Sequence, residues 1–383
     1  MKKENKTPEQ VAPAAETAVQ EQPKLKSGAF GRFVRRFFLV LFTLIILIAT
    51  GLVMILEMAF NGPSMEARGV LTMALVEASA TKWVPALFIG EEAVAEIRQK
   101  VGKELPNEVT DLDAIVINKE SMLTVTDEWK DYPDGIRIAE YKGDTFNAHI
   151  MIIRDPSRVY TAVSSKTFSP NIPGTRITEQ METEGAVAAV NGGAFFDDGK
   201  ASLKVGSYPF GVVFSEGVCY WQNGTPNEKG YAGFTNDHKL VVAKDMTKAK
   251  AEELGIRDMC GFGPVLIMDG EINETAYNTT SGLNPRTAIG QRKDGAVIFV
   301  CIDGRQTGSL GGEYRDIIDI MVEYGAYNAC NMDGGSSSVM LYRDNYGLYG
   351  EAGQVQMINS YSLLQEEPRR MPTFWMVRPA SEE

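Results

Sequence analysis

The sequence predicts an α+β fold, a mixed β-sheet core with few flanking helices, preceded by one transmembrane helix and a short helical neck. Three observations predict it. From about Asp111 onward, short apolar runs rich in β-branched residues alternate with Gly, Asn, Asp and Pro, the pattern of strands and turns. Helical periodicity is confined to a few stretches. Residues 37–60, FFLVLFTLIILIATGLVMILEMAF, form an apolar run of 24 residues with one acid, Glu57, near its end.

Residues 1–36 read as a disordered cytoplasmic tail with a basic flank. Up to about residue 27 the chain is rich in Lys, Glu, Gln, Pro and Ala, with too little apolar surface to offset the entropy of ordering. The run over 37–60 is long enough to span a hydrocarbon layer of roughly 30 Å. A cleaved signal has a shorter apolar core and an A-x-A-like site, so the run reads as a retained anchor. Lys24, Lys26, Arg32, Arg35 and Arg36 precede it with no acid among them, which places the N-terminus in the cytoplasm and everything after Phe60 outside. The first 36 residues hold eight basic and four acidic side chains, a net of +4; with −12 over the whole chain, the remainder carries −16. Such an acidic ectodomain argues against nucleic acid as a partner, because phosphate backbones are bound by basic surface.

Residues 61–110 read as a helical neck and linker. Val70, Met73 and Ala74 recur at helical spacing, Pro85 breaks the pattern, and EEAVAEIRQKVG resumes it. Residues 111–383 form the main domain. Its strand-like runs are DAIVIN, IRIAEY, NAHIMIIR, RVYTAVS, AVAAVN, FGVVFS, KLVVAK, GPVLIM, RTAIGQ, AVIFVCI, YNACNM and SVMLYR. Helices are expected in TRITEQMETEG, in MTKAKAEELG and in EYRDIIDIMVEYG, where Tyr314, Ile317, Ile318, Met321 and Tyr324 share one face before a stopping Gly325. Cys219, Cys260, Cys301 and Cys330 are spaced too widely for a CxxC zinc or redox site. Disulfides are allowed outside the membrane, and buried thiols fit the apolar surroundings of Cys301 and Cys330 equally well.

Three strand ends carry polar clusters that packing alone does not require. They are AVAAVNGGAFFDDG at 186–199, NPRTAIG at 284–290 followed by VIFVCIDGRQTG at 297–308, and NACNMDGGSSSVM at 328–340. In each, an apolar strand delivers an acid, an amide or a guanidinium to a glycine turn. With only His149 and His238 in the chain, neither in a cluster, no Ser-His-Asp triad or three-histidine zinc site can be assembled. GGSSS lacks the lysine of a phosphate loop, and NMDGG lacks the spaced acids of a calcium loop. Carboxylates, arginines and backbone amides remain, a set suited to an anionic ligand.

AVNGGAFF, NPRTAIG, DGR and NMDGGSSS, in this order and with an amphipathic helix between the last two, resemble the phosphodiester glycosidase family over roughly residues 135–377. The resemblance implies hydrolysis of a sugar joined through its anomeric carbon to a phosphodiester, in a cell-envelope glycan or exopolysaccharide. Where the family usually has a third glycine in its DGGGS turn, this chain has Ser336.

For that bond the leaving phosphate is already a stable anion, so charge stabilisation matters more than strong acid catalysis. Arg286 and Arg305 are expected to hold the phosphate, with the backbone N–H groups of Gly334, Gly335, Ser336 and Ser337 as a secondary cradle. Asp303 or Asp333 activates water or stabilises the oxocarbenium-like state. Asn191 is either a ligand to a sugar hydroxyl or a left-handed turn residue. Asp303 with Arg305 can alternatively close a turn as an ion pair, and Arg286 can form a structural salt bridge. Phe195 and Phe196 read as core before sugar platform, and Asp197 and Asp198 as a solvated turn. No cofactor is expected; the expected partners are a sugar-phosphate or phosphate-linked glycan and the membrane. The alternative functions are a non-catalytic module binding anionic glycans in a polysaccharide-assembly complex, and a phosphodiesterase cleaving the P–O bond.

Overall fold

The structure is a computed structural model that describes residues 27–77, 81–98, 105–115, 117, 128–196, 206–224, 229–360 and 367–380. The expected tail up to residue 26 and the turn at Asp197 and Asp198 lie outside the described residues. The chain divides into two compact units, 1–56 and 57–383.

Helix α1, Ser27–Asn61, carries the apolar run, and 31 of its residues, Gly31–Asn61, are long and apolar enough to cross a membrane. Two helices lie in the segment expected as a helical neck and linker. Helices α2, Met65–Glu77, and α3, Val84–Ile97, belong to the second unit, and Phe60, Thr72 and Met73 are buried within it. Pro85 does not break this segment. It sits in the first turn of α3, where no N–H is needed, and the kink falls instead at Gly90, with φ of 79°.

Three antiparallel sheets build the second unit, in agreement with the α+β expectation. The largest has the order β1 (Ile136–Lys142), β2 (Asn147–Ile153), β13 (Val297–Ile302), β12 (Arg286–Arg292), β14 (Ala326–Met332), β10 (Val265–Met268) and β11 (Glu271–Ile272). The second has the order β16 (Val355–Met357), β15 (Met340–Arg343), β4 (Ala188–Asn191), β17 (Thr373–Val377) and β3 (Val159–Val163). The third has the order β6 (Val218–Asn223), β5 (Gly211–Ser215), β9 (Ile256–Gly261), β7 (Tyr231–Thr235) and β8 (Leu240–Ala243).

One face of each sheet contributes to a shared central core in which Met151, Phe299, Cys330, Val190, Trp375 and Phe234 are packed together. The other face of each is covered by helix: α6 (Glu274–Asn278) and α7 (Tyr314–Glu323) on the seven-stranded sheet, α4 (Ile177–Glu184) on the second and α5 (Lys248–Glu253) on the third. This explains why many strands read as continuous apolar runs without alternation, since both faces are buried. Helix α7 follows its expected face: Tyr314, Ile317, Ile318 and Met321 are buried, and Gly325 adopts φ of 81° just beyond its end.

Strands β6, β7, β9, β11, β16 and β17 were not expected. Gly233 interrupts β7, and Asp258 sits wholly buried inside β9, accepting hydrogen bonds from the backbone of Thr161 and Glu216. The DAIVIN run is not a strand where it is described: Leu112–Ala114 forms a 3-10 turn capped by Asp111, whose carboxylate accepts from the Asp113 amide. All four cysteines are free thiols and three are buried.

Candidate active site

The three polar clusters converge on one edge of the seven-stranded sheet. β12 lies between β13 and β14 and runs antiparallel to both, pairing Arg286 with Ile302 on one side and Thr287 with Met332 on the other. The start of β12 is therefore flanked by the two strand ends that deliver Asp303 and Asp333. From the second sheet, β4 arrives beside Asp333: Asn191 donates through Nδ2 to the Asp333 carbonyl at 2.7 Å, and the Asp333 amide donates to the Gly192 carbonyl at 3.1 Å.

The NGG of the first motif is a junction of sheets. A side chain at Gly192 would meet Thr373 of β17 at 2.6 Å, and one at Gly193 would meet the carbonyl of Gly261 at the end of β9 at 2.5 Å. Asn191 completes the junction, its Oδ1 accepting from Thr287 Oγ1 at 2.8 Å and from the Val339 amide at 3.2 Å. It is fully buried in an extended strand, so it is not the left-handed turn residue considered above, and its side chain ties sheets together.

Pro285 is where the other motifs interlock. Cβ atoms at Gly304 and Gly334 would lie 2.7 Å and 2.8 Å from its backbone, and its carbonyl accepts from the Gly335 amide at 2.9 Å. Asn284, one residue earlier, accepts from Arg305 Nη2 at 2.9 Å. The guanidinium of Arg305 then lies over the acidic turn, with its nitrogens 3.3 Å from where a Gly335 side chain would begin. Arg305 is exposed and left-handed, with φ of 57°.

Arg286 behaves differently. It is 3% exposed, donates to the carbonyls of Gly312, Ser281 and Gly282 at 3.1, 2.7 and 3.0 Å, and packs its guanidinium 4.4 Å from the Tyr314 ring centroid. Alternation along β12 decides this, because Thr287 points to the β4 side and Arg286 to the α7 side. The phosphate-clamp expectation for Arg286 gives way to a buried anchor beneath the site.

The amide cradle also changes. The N–H of Gly334 donates to Asp333 Oδ1, that of Gly335 to Pro285 and that of Ser337 to Gly334, so three of the four expected donors are turned inward. Ser337 has no exposed surface, which removes it as a ligand contact. Ser336 is half-buried, and its hydroxyl accepts from Arg369 Nη1 at 3.3 Å.

Arg369 was missed in the sequence. It lies near the end of the chain in a Pro-Arg-Arg stretch with no glycine turn to mark it, yet it also packs 4.8 Å from the centroid of half-buried Phe195. His149 was missed as well. Its Nε2 lies 3.3 Å from Asp303 Oδ2, across a strand boundary that sequence spacing does not show. Asp303 is 2% exposed, its other oxygen accepts from the Ser360 amide, and it pairs with His149 where an Arg305 pair was considered. Behind it, burial and then the Asp303 charge push the Cys301 thiol well above its ordinary value, so it stays neutral. Asp333 is half-buried at the mouth of the turn. Among the described residues, no three His, Cys, Asp or Glu side chains are grouped as a metal ion would need.

Among the described residues, the arrangement offers one accessible carboxylate, an exposed guanidinium over its turn and a second guanidinium on the turn's hydroxyl. Known proteins share its sequence pattern. The profile of the phosphodiester glycosidase family matches residues 184–378, about half of the chain. The SPbeta prophage-derived uncharacterized protein YomE of Bacillus subtilis (strain 168) is 30% identical over 139 residues, which are 36% of this chain and 20% of that protein, so the match spans about a fifth of that relative's length. Among solved structures, the zebrafish N-acetylglucosamine-1-phosphodiester alpha-N-acetylglucosaminidase catalytic domain, auto-inhibited by its pro-peptide, overlaps with a TM-score of 0.49 and 20% identity, over 66% of this chain and 85% of that one. A putative exported protein from Burkholderia pseudomallei K96243 overlaps with a TM-score of 0.40 and 15% identity, over 61% and 74%. With all four motifs meeting at one edge of the largest sheet and the profile covering five of its strands from end to end, the chain belongs to the phosphodiester glycosidase family.

Proposed function

We propose that the protein is a membrane-anchored extracytoplasmic hydrolase that cleaves the glycosidic bond of a sugar 1-phosphodiester in an envelope glycan or exopolysaccharide. The observation that carries this reading is the placement of Arg305 and Arg369 on the turn that follows Asp333. Two cations at one turn suit the phosphate, whose negative charge grows as the anomeric carbon–oxygen bond breaks, and a preorganised cation at such a position is worth about 3 kcal/mol.

Asp333 is the group that meets water or the oxocarbenium-like sugar. Asp303 and Asp333 leave strands separated by β12, so their backbones are roughly 10 Å apart, two interstrand spacings. Asp303, buried against His149, holds the DGR turn in place, with its carbonyl accepting from Ser309 Oγ at 2.9 Å. Chemistry in this reading rests on one carboxylate and two arginines, with Asn191 and Arg286 as buried supports. The apolar helix α1 supports the anchor, and the basic residues before it support a cytoplasmic N-terminus.

The test is hydrolysis of a panel of sugar 1-phosphodiesters by the full chain in detergent. The expected outcome is release of free sugar, with Asp333→Asn retaining ligand and losing about 10²- to 10³-fold in kcat. Binding without turnover in both proteins would identify an anionic-glycan-binding module instead. Hydrolysis in labelled water separates the remaining reading: label in the sugar supports the glycosidase, whereas label in the phosphate would make the protein a phosphodiesterase.

A further inference from the structure

The juxtamembrane helix α2 packs against the loop that holds Arg286. Gly282 adopts φ of 74°, and a Cβ there would lie 2.3 Å from the Ala74 amide nitrogen and 2.8 Å from the Met73 carbonyl carbon, so loop and helix meet backbone to backbone. One turn earlier, a Cβ at Gly69 would lie 3.5 Å from Thr280 Cγ2. Thr72 is fully buried and Met73 nearly so.

The same loop faces the site on its other side. The carbonyls of Ser281 and Gly282 accept from Arg286 Nη2, the Ser281 amide donates to Glu313, and the Ser281 hydroxyl accepts from the Tyr314 amide at the start of α7. Residues 284–286 then carry the site's parts: Asn284 holds Arg305, Pro285 holds the amide of Gly335, and Arg286 is held by the loop under α2.

We propose that α2 is a positioning element of the active site, its Met73–Ala74 backbone fixing the Ser281–Gly282 carbonyls and, through Arg286 and Pro285, the anion-binding turn beneath Arg305. The Met73–Ala74 backbone thereby supports the binding site from outside it, and displacing that contact loosens the grip on the phosphate. The inference rests on the phosphodiester reading for its substrate, and on inorganic phosphate alone for its independent test.

Gly282→Ala forces loop and helix apart, while Gly69→Ala places a methyl at ordinary contact distance and serves as the control. With the full chain in detergent micelles, Gly282→Ala is expected to weaken inorganic phosphate binding, and to raise KM for the sugar 1-phosphodiester, by about tenfold with kcat nearly unchanged, as a small misplacement of a binding group does. Gly69→Ala should match the wild type in both. Should Gly282→Ala fail to fold, the pair Gly69→Cys with Thr280→Cys provides a second route, since a Cβ at Gly69 would be 3.9 Å from the Thr280 Cβ, within disulfide range. Adding Met73→Ala to that pair should give wild-type phosphate affinity when oxidised and about tenfold weaker affinity when reduced. A folded Gly282→Ala protein with wild-type affinity and KM would overturn the proposal. So would identical affinities in the two redox states, or a wild type that binds no phosphate. Weakened phosphate binding in Gly282→Ala without any glycosidic cleavage by the wild type would retain the positioning role and remove the glycosidase assignment.

Discussion

Arg286 and Arg305 leave the same sheet edge, each beside an Asn-Pro or Asp-Gly turn, and end in opposite environments. Arg286 is buried against Tyr314 and three carbonyls, whereas Arg305 is exposed over Gly335. Arg286 is the first residue of a strand whose pleat sends it to the helix side, and Arg305 follows a strand end in a left-handed turn that swings it over the neighbouring motif. The contrast teaches that a guanidinium at this sheet edge is available to a ligand only where the backbone leaves it facing solvent. The same division separates Asp303, held by His149 and the Ser360 amide, from half-buried Asp333.

The largest test of this contrast is Arg286→Met. The Ser281 and Gly282 carbonyls lose their Arg286 donor and the Gly312 carbonyl keeps only the Asn284 amide, so a loss of about 3 kcal/mol of stability is expected, read by denaturant unfolding. A stable Arg286→Met protein with a large rise in KM would return Arg286 to the role of phosphate clamp. Next is Arg305→Ala, expected to lower kcat/KM by about 10²-fold while leaving the unfolding midpoint where it is. Loss of stability there would put Arg305 among the anchors and break the distinction from the other side.

Asn191→Ala sharpens the picture at the sheet junction. It leaves the Thr287 hydroxyl, the Val339 amide and the Asp333 carbonyl without their partner and should cost about 2 kcal/mol, with KM unaffected in protein that remains folded. A selective rise in KM would show that the Asn191 amide reaches substrate.

The smallest effect concerns the thiols. Burial pushes Cys260 up to about 12 and also raises Cys301 and Cys330, so their thiolate fractions at pH 8 are negligible, while Cys219 is half-exposed and within reach of solvent. Iodoacetamide should label the native protein at Cys219 alone, with mass spectrometry finding the other three labelled only after unfolding. Native labelling of Cys301 would mean that the region behind Asp303 opens.

Much of this molecule was legible in its sequence because the signals are local. The apolar run at 37–60 gave a helix, the spacing of Tyr314, Ile317, Ile318 and Met321 gave the buried face of α7, and four short motifs identified the family and its sheet edge. Strands β7 and β9 were hidden because Gly233 and Asp258 break the apolar pattern, and only their neighbours make them tolerable there: Gly233 lies against Asp258 and Met259, and Asp258 is satisfied by backbone donors from β3 and the turn at Glu216.

By itself, then, the sequence determined the elements and the chemical inventory, since periodicity and turn chemistry depend on residues a few positions apart. Tertiary structure alone decided which member of that inventory faces solvent. It brought His149 to Asp303 across 154 residues and Arg369 to Ser336 across 33, turned the amides of Gly334, Gly335 and Ser337 inward, and seated α2 on Gly282. These outcomes follow from strand order, pleat direction and close backbone approach, which are properties of the packed sheets and of no single stretch of chain.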